Sequence, residues 1–445
     1  MKACHMSTIG LPLTGKSLLI LDCLHVHHFL FNDWYRLLAA ILVNRSVLLL
    51  KHEKGNGMMT REKMIRQFAA VGLSVAILAV VPIAAAAASP EASLNREKWI
   101  AVADHLIQTP PEDYPYDWGE ATLFIGLLKA YERTHNVAYI DYAEKWAALY
   151  TTKSREELLE LDASGSHRDE SGEGVGPIPG DCNRWVPGTV MLSLFQERNK
   201  QDYRRIVRMI IDFIRESAER SPEGGLDHWT GSHEYWVDTL YMACPLLARF
   251  GKMENKPAYV DDAAQQFILH ARDLQDEKTG LFYHMWDWQT GQLTPVLWGR
   301  GNGWVLMALA DTMEMMDRTH TSFTALQQIA LRLAHGLRSV QDRDGLWHTV
   351  LNDPTSYSEC SASSMFVYGF LKLVRLKVLP RSYKKVALRG WAAINARYVK
   401  DGVVTGVSGS TDPHPVEVYK KIEVGTETWG TGAYLSAGSE VDRLH

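Results

Sequence analysis

Cysteine is scarce in this chain of 445 residues, which contains five. Only Cys182, Cys244 and Cys360 follow residue 88. An odd number of widely separated cysteines excludes a disulfide framework. The cysteines do not have the sequence spacing of zinc ligands, and no further ligands follow at a spacing typical of zinc sites. We therefore expect no metal site. We expect the three thiols to pack as small hydrophobic side chains.

Lysine and arginine are outnumbered by aspartate and glutamate in this chain. The whole chain has a formal net charge of −5, and residues 1–88 hold nine Lys and Arg against four Asp and Glu. The remainder therefore carries a net charge of −10. No basic stripe is left in it, which excludes nucleic acid as a partner. Tryptophan, in contrast, is plentiful: fourteen residues fit either an aromatic-lined sugar groove or a large core.

The first 88 residues have the pattern of a targeting segment with extra chain before it. From Met64, basic residues are followed by an apolar run and an alanine-rich stretch that ends near Ala88, as in a secretory signal peptide. A signal anchor is the alternative, because the apolar run approaches the ~20 residues that span a bilayer. We expect an over-extended segment at 1–63, a signal peptide at 64–88, and an exported domain at 89–445, periplasmic or extracellular, with no stable membrane partner.

Helix patterns dominate the rest of the chain. Short and long connections alternate between twelve predicted helices. Short connections join antiparallel neighbours, so the helices form six hairpins with every long loop at the same end. The predicted helices are 95–108, 118–134, 137–150, 185–198, 202–220, 233–250, 257–272, 302–317, 323–340, 359–378, 382–398 and 430–443.

A small motif recurs in the long loops, as GGLDHW, TGLFYH, DGLWHT and DGVVTG, at intervals of 55 to 65 residues. Such a period indicates an array of like units, and six hairpins favour a closed ring. The even-numbered helices are apolar nearly all round and are predicted to form the inner ring, with the amphipathic odd-numbered helices outside. The N-termini of the inner helices then converge at one rim, which favours an anionic ligand.

Two aspartates are predicted to lie at this rim. Asp238, in YWVDTLYM, is predicted to lie one turn into the third inner helix, among apolar neighbours. A carboxyl group in such surroundings keeps its proton to higher pH than in water, which suits a general acid. Asp181 precedes the second inner helix, and paired carboxyl groups across a pocket are typical of glycosidases. The structural alternatives are a hydrogen-bonded buried aspartate for Asp238 and a capping or turn aspartate for Asp181.

An arginine stands among glycines at the start of the fourth inner helix, in the sequence LWGRGNGW at 297–304. We expect the three glycines to let backbone and ligand approach closely. Arg300 is then predicted to grip a carboxylate with two hydrogen bonds. A structural ion pair between Arg300 and an aspartate is the alternative.

Aromatic and imidazole side chains complete the predicted substrate-binding set. Trp304 lies one turn beyond Arg300 on the same helix face and can stack on a sugar ring, and Trp298 flanks the other side. His228 and His284 occupy matching points of two loop repeats. The alternative for both histidines is a polar loop residue.

The motifs GRGNGW, YWVDTLYM, GLFYHMWD and the C-terminal WGTGAYLSAGSEV resemble those of glycoside hydrolase family 105, the unsaturated rhamnogalacturonyl hydrolases. The related family 88 unsaturated glucuronyl hydrolases share much of this plan. The resemblance extends from about residue 95 to 443 and implies an all-α fold, an (α/α)6 barrel. It also implies hydration of the 4,5 double bond of an unsaturated uronic acid at the non-reducing end of a lyase-generated pectin oligosaccharide, without metal or redox cofactor.

The resemblance also implies roles for individual residues. Asp238 matches the general acid and base, and Asp181 matches the second acidic residue. The substrate-binding positions match His228, His284, Trp298, Arg300 and Trp304. The loop that holds His228 does not align cleanly with the family, so His233 is the alternative there. Two alternatives to this function remain. One is another (α/α)6-barrel carbohydrate enzyme, such as an unsaturated glucuronyl hydrolase, inverting glycosidase, epimerase or lyase. The other is a non-catalytic sugar-binding toroid.

Overall fold

The computed structural model describes residues 90–159 and 180–444. The predicted signal peptide at 64–88 and the segment at 1–63 lie outside the described residues, so both stay predictions. Among the helices of the described residues, none is both long enough and apolar enough to cross a bilayer.

Helices make up nearly all of the regular structure in the described part of the chain, and the twelve long ones confirm the all-α prediction. In chain order they are α1 (Pro90–Leu106), α2 (Trp118–Thr134), α3 (Val137–Ala148), the short α4 (Arg155–Leu159), α5 (Pro187–Arg198), α6 (Gln201–Glu216), α7 (Val237–Met253), α8 (Pro257–Leu274), α9 (Gly299–Met315), α10 (Phe323–Ser339), α11 (Cys360–Arg375), α12 (Tyr383–Arg397), the short α13 (Val416–Tyr419) and α14 (Thr428–Asp442).

Short strands pair within the long loops as two-stranded antiparallel sheets. The pairs are β1 (Glu234–Trp236) with β2 (Met285–Asp287), β3 (Val399–Lys400) with β4 (Val403–Val404), and β5 (Val407–Ser408) with β6 (Val424–Gly425). Single turns of 3-10 helix occur at Pro111–Asp113 and Cys182–Arg184.

The predicted inner and outer rings are both present. The inner ring is α2, α5, α7, α9, α11 and α14, in which each helix packs against the next and α14 packs against α2. The outer helices α3, α6, α8, α10 and α12 each pack against the inner helix that precedes them, and α1 packs against α14. Burial follows the predicted patterns, because α6 buries one face only whereas nearly all of α7 is buried.

Two helix starts at the rim differ from the prediction by three or more residues. Residues 233–236 were expected to be helical, but Glu234–Trp236 pairs with Met285–Asp287, and α7 begins at Val237. The fourth inner helix, α9, begins at Gly299 rather than at residue 302. Both shifts matter for the site, because they determine which side chains the first helical turns present.

Glycine allows the ring to close between its first and last inner helices. A Cβ atom on Gly126 of α2 would lie 2.3 Å from the carbonyl oxygen of Gly432, and a Cβ on Gly432 of α14 would lie 2.2 Å from the carbonyl oxygen of Thr122. The two backbones are therefore in direct contact, and no larger residue fits between them without moving a helix.

A Gly126→Val substitution is expected to lower the free energy of unfolding by about 3 kcal/mol, because it forces α2 and α14 apart. Chemical denaturation measures this change. Gly425→Ala is the control, since its Cβ would meet only the end of the Glu427 side chain, at 3.4 Å. Equal stability of the two variants would contradict the close contact of α2 with α14.

Candidate active site

A small cavity of about 30 Å³ lies at the rim where the inner helices begin. It brings Asp238 and Arg300 together, as predicted, although they are distant in sequence. One wall is the segment 408–412, which we call the cap segment. The residues that line the cavity are Trp118, Asn183, His228, Trp236, Asp238, Met242, Trp298, Arg300, Ser410, Thr411 and Asp412.

A larger cavity of about 180 Å³ lies at the opposite end of the barrel, where the inner helices end. Its charged side chains pair with one another: Lys372 lies 2.6 Å from Asp311 and 2.7 Å from Glu314, and Arg375 lies 2.8 Å from Glu440. Cations at helix C-termini are favoured by the helix dipoles. We therefore assign this end of the barrel to stability and the smaller cavity to chemistry.

Asp238 lines the smaller cavity, whereas its neighbour His284 is fully buried and is not among the lining residues. The pairing of β1 with β2 brings them together, and the backbone N–H of Val237 donates to the carbonyl of His284 at 3.1 Å. Oδ2 of Asp238 lies 3.4 Å from Nε2 of His284, yet neither buried atom makes a hydrogen bond within the described residues. The Asp238 side chain keeps 13% of its surface exposed, so it is not sealed from the cavity. A buried polar atom without a hydrogen bond requires an explanation, and a catalytic role is one of those that apply.

Arg300 is buried and already bonded within the chain. Its Nη1 donates to the carbonyl and hydroxyl oxygens of Ser408, at 2.8 and 2.5 Å, and its Nη2 donates to the carbonyl of Gly409 at 2.8 Å and to Oγ1 of Thr411 at 3.0 Å. The alternative of an Arg–Asp pair is wrong, because the partners are neutral oxygens of the cap segment. Burial lowers the pKa of Arg300, and the charges of Glu359 and Asp238 oppose that effect.

The glycines around Arg300 do not make room for a ligand, which corrects the sequence interpretation. All three lie inside α9, and added Cβ atoms would meet protein atoms. The Cβ of Gly301 would lie 2.8 Å from Val237, and that of Gly303 would lie 2.7 Å from Met365. The glycines therefore let α9 pack closely against α7 and α11, and this packing carries Arg300 into the cavity.

The two predicted stacking tryptophans have different positions. Trp298 lines the cavity, and the Arg300 guanidinium lies 4.6 Å from the centre of its ring. Trp304 is fully buried behind the wall, stacked on Tyr241 at 4.7 Å and edge-on to Trp118 at 6.0 Å. The structure thus does not bring Trp304 to the cavity for sugar stacking, and its contact is with Trp118, which does line the cavity.

Asp181 lies behind the cavity wall rather than in it. Its carboxylate accepts hydrogen bonds from the backbone N–H and side-chain amide of Asn183, at 2.9 and 3.1 Å, and Asn183 lines the cavity. Asp181 thus caps the 3-10 turn Cys182–Arg184, as in the structural alternative given above. Burial raises the pKa of the Cys182 thiol, and the charges of Asp181 and Asp238 add to that effect, which places both carboxylates near this sulfur.

His228 lines the cavity and belongs to a buried cluster. Its ring stacks on Trp236 at 4.1 Å, and its Nδ1 lies 2.8 Å from Oγ1 of Thr239 and 3.2 Å from Sγ of Cys182. Asp181, Cys182 and His228 come within 4.8 Å of one another, so the fold collects three potential metal ligands that sequence spacing did not reveal. Burial raises the pKa of this thiol, so a metal would have to displace its proton.

His233, the alternative loop histidine, is not among the cavity-lining residues. Its backbone has a positive φ of 57°, and its ring lies edge-on to Trp288 at 4.9 Å. The position of His228 therefore fits the predicted role better than that of His233.

Several residues of the site were missed by the sequence reasoning. Trp118 and Trp236 stand at the starts of inner helices, where Trp298 also stands, and the same argument could have found them. Asp117 precedes Trp118 and is buried in contact with Arg184, although it does not line the cavity. Burial raises the pKa of Asp117, and Arg184 opposes the rise. The cap segment gave no signal, because it lies more than a hundred residues from Arg300 in the chain.

A helical barrel whose inner-helix N-termini surround an aspartate, an arginine and several tryptophans fits a glycoside hydrolase, and the family to which the chain belongs establishes this class. The chain belongs to Glycosyl Hydrolase Family 88, whose profile matches residues 94–445. This confirms the family resemblance and the (α/α)6-barrel fold.

Individual relatives agree with this assignment. The chain is 30% identical to the unsaturated rhamnogalacturonyl hydrolase YesR of Bacillus subtilis, over 78% of this chain and 96% of that protein. It is 26% identical to an unsaturated 3S-rhamnoglycuronyl hydrolase of Formosa agariphila, over 74% and 85%. The structure of a family 105 glycoside hydrolase from C. acetobutylicum superposes with a TM-score of 0.68 and 27% identity, covering 78% of this chain and 99% of the other.

Proposed function

We propose that the protein is an unsaturated rhamnogalacturonyl hydrolase, which hydrates the 4,5 double bond of an unsaturated uronic acid at the non-reducing end of lyase-generated pectin oligosaccharides. The names of the relatives from Bacillus subtilis and Formosa agariphila both combine an unsaturated uronyl unit with rhamnose. The observation that carries the proposal is the carboxyl oxygen of Asp238, which makes no hydrogen bond within the described residues and lies in one cavity with Arg300.

The proposed reaction begins with protonation of carbon, because the double bond of the substrate is an enol ether. Asp238 gives a proton to C4, and its carboxylate then takes a proton from the water molecule that adds to C5. The product is a hemiketal at C5, which opens and releases the rest of the oligosaccharide. Asp238 therefore regains its proton at the end of each cycle, and no redox step occurs.

The uronate group of the substrate requires positive potential. The sequence after residue 88 has a net charge of −10, so this potential has to be local. Arg300 and the N-termini of the inner helices provide it at the cavity. Asp181 is proposed as the second acidic residue, which acts by its charge and by holding Asn183 in the wall.

A panel of unsaturated disaccharides tests the substrate. We expect the highest kcat/KM where rhamnose follows the unsaturated uronic acid, and at least about tenfold less where a hexosamine of the glycosaminoglycan type follows it. The measurement is loss of the ultraviolet absorbance of the double bond, followed in parallel with chromatography of the released sugar.

Two other outcomes would contradict the proposal. Release of saturated sugars without loss of absorbance would favour an ordinary inverting glycosidase. Binding without turnover, with equal affinity for the wild type and an Asp238→Asn variant, would favour a sugar-binding toroid.

Export is a further part of the proposal, and the apolar, alanine-rich pattern at 64–88 supports it. Expression of the full chain in a bacterial host, followed by cell fractionation and N-terminal sequencing, is expected to give a mature protein that begins near residue 89. A cytoplasmic protein that retains this segment would contradict it.

A further inference from the structure

The imidazole of His284 is held in one orientation by the aromatic rings around it. It is fully buried, with Trp298 at 4.3 Å and Trp236 edge-on at 5.2 Å between ring centres. A ring enclosed in this way cannot turn over without displacing its neighbours. Its two nitrogen atoms therefore have distinct and fixed environments.

Nδ1 of His284 faces a buried hydroxyl group. The Oη atom of Tyr419, in α13, lies 2.6 Å from it. The backbone N–H of His414 donates to the same oxygen at 3.4 Å. Burial raises the pKa of Tyr419, and the charges of Asp238 and Asp412 add to that effect, so the hydroxyl keeps its proton. A hydroxyl that already accepts from His414 has this proton to donate, and Nδ1 is the atom within reach.

The other nitrogen faces Asp238. A neutral imidazole carries one N–H, so an Nδ1 that accepts a hydrogen bond leaves the proton on Nε2. Nε2 lies 3.4 Å from Oδ2 of Asp238, and neither atom has another hydrogen bond in the described parts of the chain. The N–H is thus available to the carboxyl group or to a substrate atom between them.

We propose that Tyr419 is a positioning residue that holds the proton of His284 on Nε2, where it supports Asp238 during catalysis. This inference rests on the proposed function, because it takes Asp238 as the acid and base. When Asp238 has given its proton to C4, the Nε2–H stabilises the carboxylate until a proton returns from water. The opposite tautomer would place a nitrogen lone pair against that negative charge.

A Tyr419→Phe substitution tests the hydroxyl while it keeps the ring. We expect kcat to fall by about 10- to 100-fold, as when the outer partner of a functional histidine is removed. KM should change by less than about twofold, because the interaction acts on the reacting carboxyl group rather than on substrate binding.

Tyr434→Phe is the matched control. The Tyr434 hydroxyl is also buried and donates to Oδ1 of Asn395 at 2.8 Å, but Tyr434 is not among the residues that line the cavity. This variant is expected to keep the wild-type kcat. An equal loss of kcat in both variants would overturn the proposal, since it would show a general effect of removing a buried hydroxyl.

Nitrogen-15 NMR of the imidazole rings reads the tautomer directly. The protein is labelled at histidine, and the His284 signals are identified as those absent from a His284→Gln variant. We expect the wild type to show protonated Nε2 and unprotonated Nδ1, and Tyr419→Phe to show a mixture of tautomers or the reverse. Unchanged His284 signals in Tyr419→Phe would overturn the proposal.

The two readouts separate this inference from the proposed function. If the wild type did not remove the double bond of any unsaturated substrate, the proposed function would be wrong, and the NMR spectra would still decide whether Tyr419 sets the tautomer. If the wild type is active and Tyr419→Phe has the same kcat, only the positioning role is wrong.

Discussion

An Asp238→Asn variant is expected to lose about 10²- to 10⁴-fold in kcat while the protein keeps its fold. The amide has nearly the shape of the carboxyl group but can neither protonate C4 nor take a proton from water. Since Oδ2 of Asp238 makes no hydrogen bond within the described residues, the change breaks none at that atom. Loss of substrate absorbance measures kcat, and calorimetry measures Tm, which should shift by at most a few degrees.

Asp262→Asn is the control, and it is expected to lose stability while it keeps its activity. Asp262, in α8, accepts hydrogen bonds from Arg215 at 2.7 Å and from Arg220 at 2.9 and 3.0 Å, and it does not line the cavity. Its loss of charge should lower Tm and leave kcat unchanged, because a buried ion pair loses one partner. A wild-type rate of hydration in Asp238→Asn would contradict the catalytic assignment.

Arg300→Lys is expected to lower kcat/KM by about 30- to 1,000-fold, mainly through KM. An ammonium group cannot span the positions that the two Nη atoms occupy, so about two charge-assisted hydrogen bonds are lost. The cap segment would lose part of its attachment to α9, and the proposed contact of the guanidinium with the substrate carboxylate would be weakened.

A substrate whose uronate is a methyl ester shows whether Arg300→Lys weakens binding by losing the carboxylate contact or by loosening the cap segment. Wild-type protein should strongly prefer the free uronate over its methyl ester, and Arg300→Lys should prefer it much less. Arg249→Lys is the control, since Arg249 lines the opposite cavity and donates to Oγ of Ser193 at 2.8 Å. Equal preference in the wild type and Arg300→Lys would contradict carboxylate binding by Arg300.

The helices could be predicted from the sequence because their signals are local. Apolar periodicity and the alternation of loop lengths are properties of neighbouring residues, and they place all twelve long helices within a few positions. The shared rim follows from topology alone, so Asp238 and Arg300 could be predicted to meet.

The details of the site could not be predicted, because they depend on contacts between distant parts of the chain. Arg300 makes four bonds to the cap segment, and Tyr419 contacts His284. Both sets of contacts join parts of the chain that are more than a hundred residues apart. Trp304 was placed in the cavity on helix spacing, but spacing gives only the face of a helix, and that face packs against Trp118 and Tyr241.

Four hydrogen bonds attach the cap segment to the same guanidinium that is proposed to bind the substrate. A cavity of about 30 Å³ is far smaller than the roughly 300 Å³ or more of ordinary ligand pockets, so we expect the cap segment to move when a sugar binds. The observed affinity for any sugar is then the intrinsic affinity multiplied by the fraction of molecules whose entrance is open. A uronate would give the guanidinium new acceptors in place of those in the cap segment, whereas a neutral sugar would not, so we expect the site to favour uronates over neutral sugars.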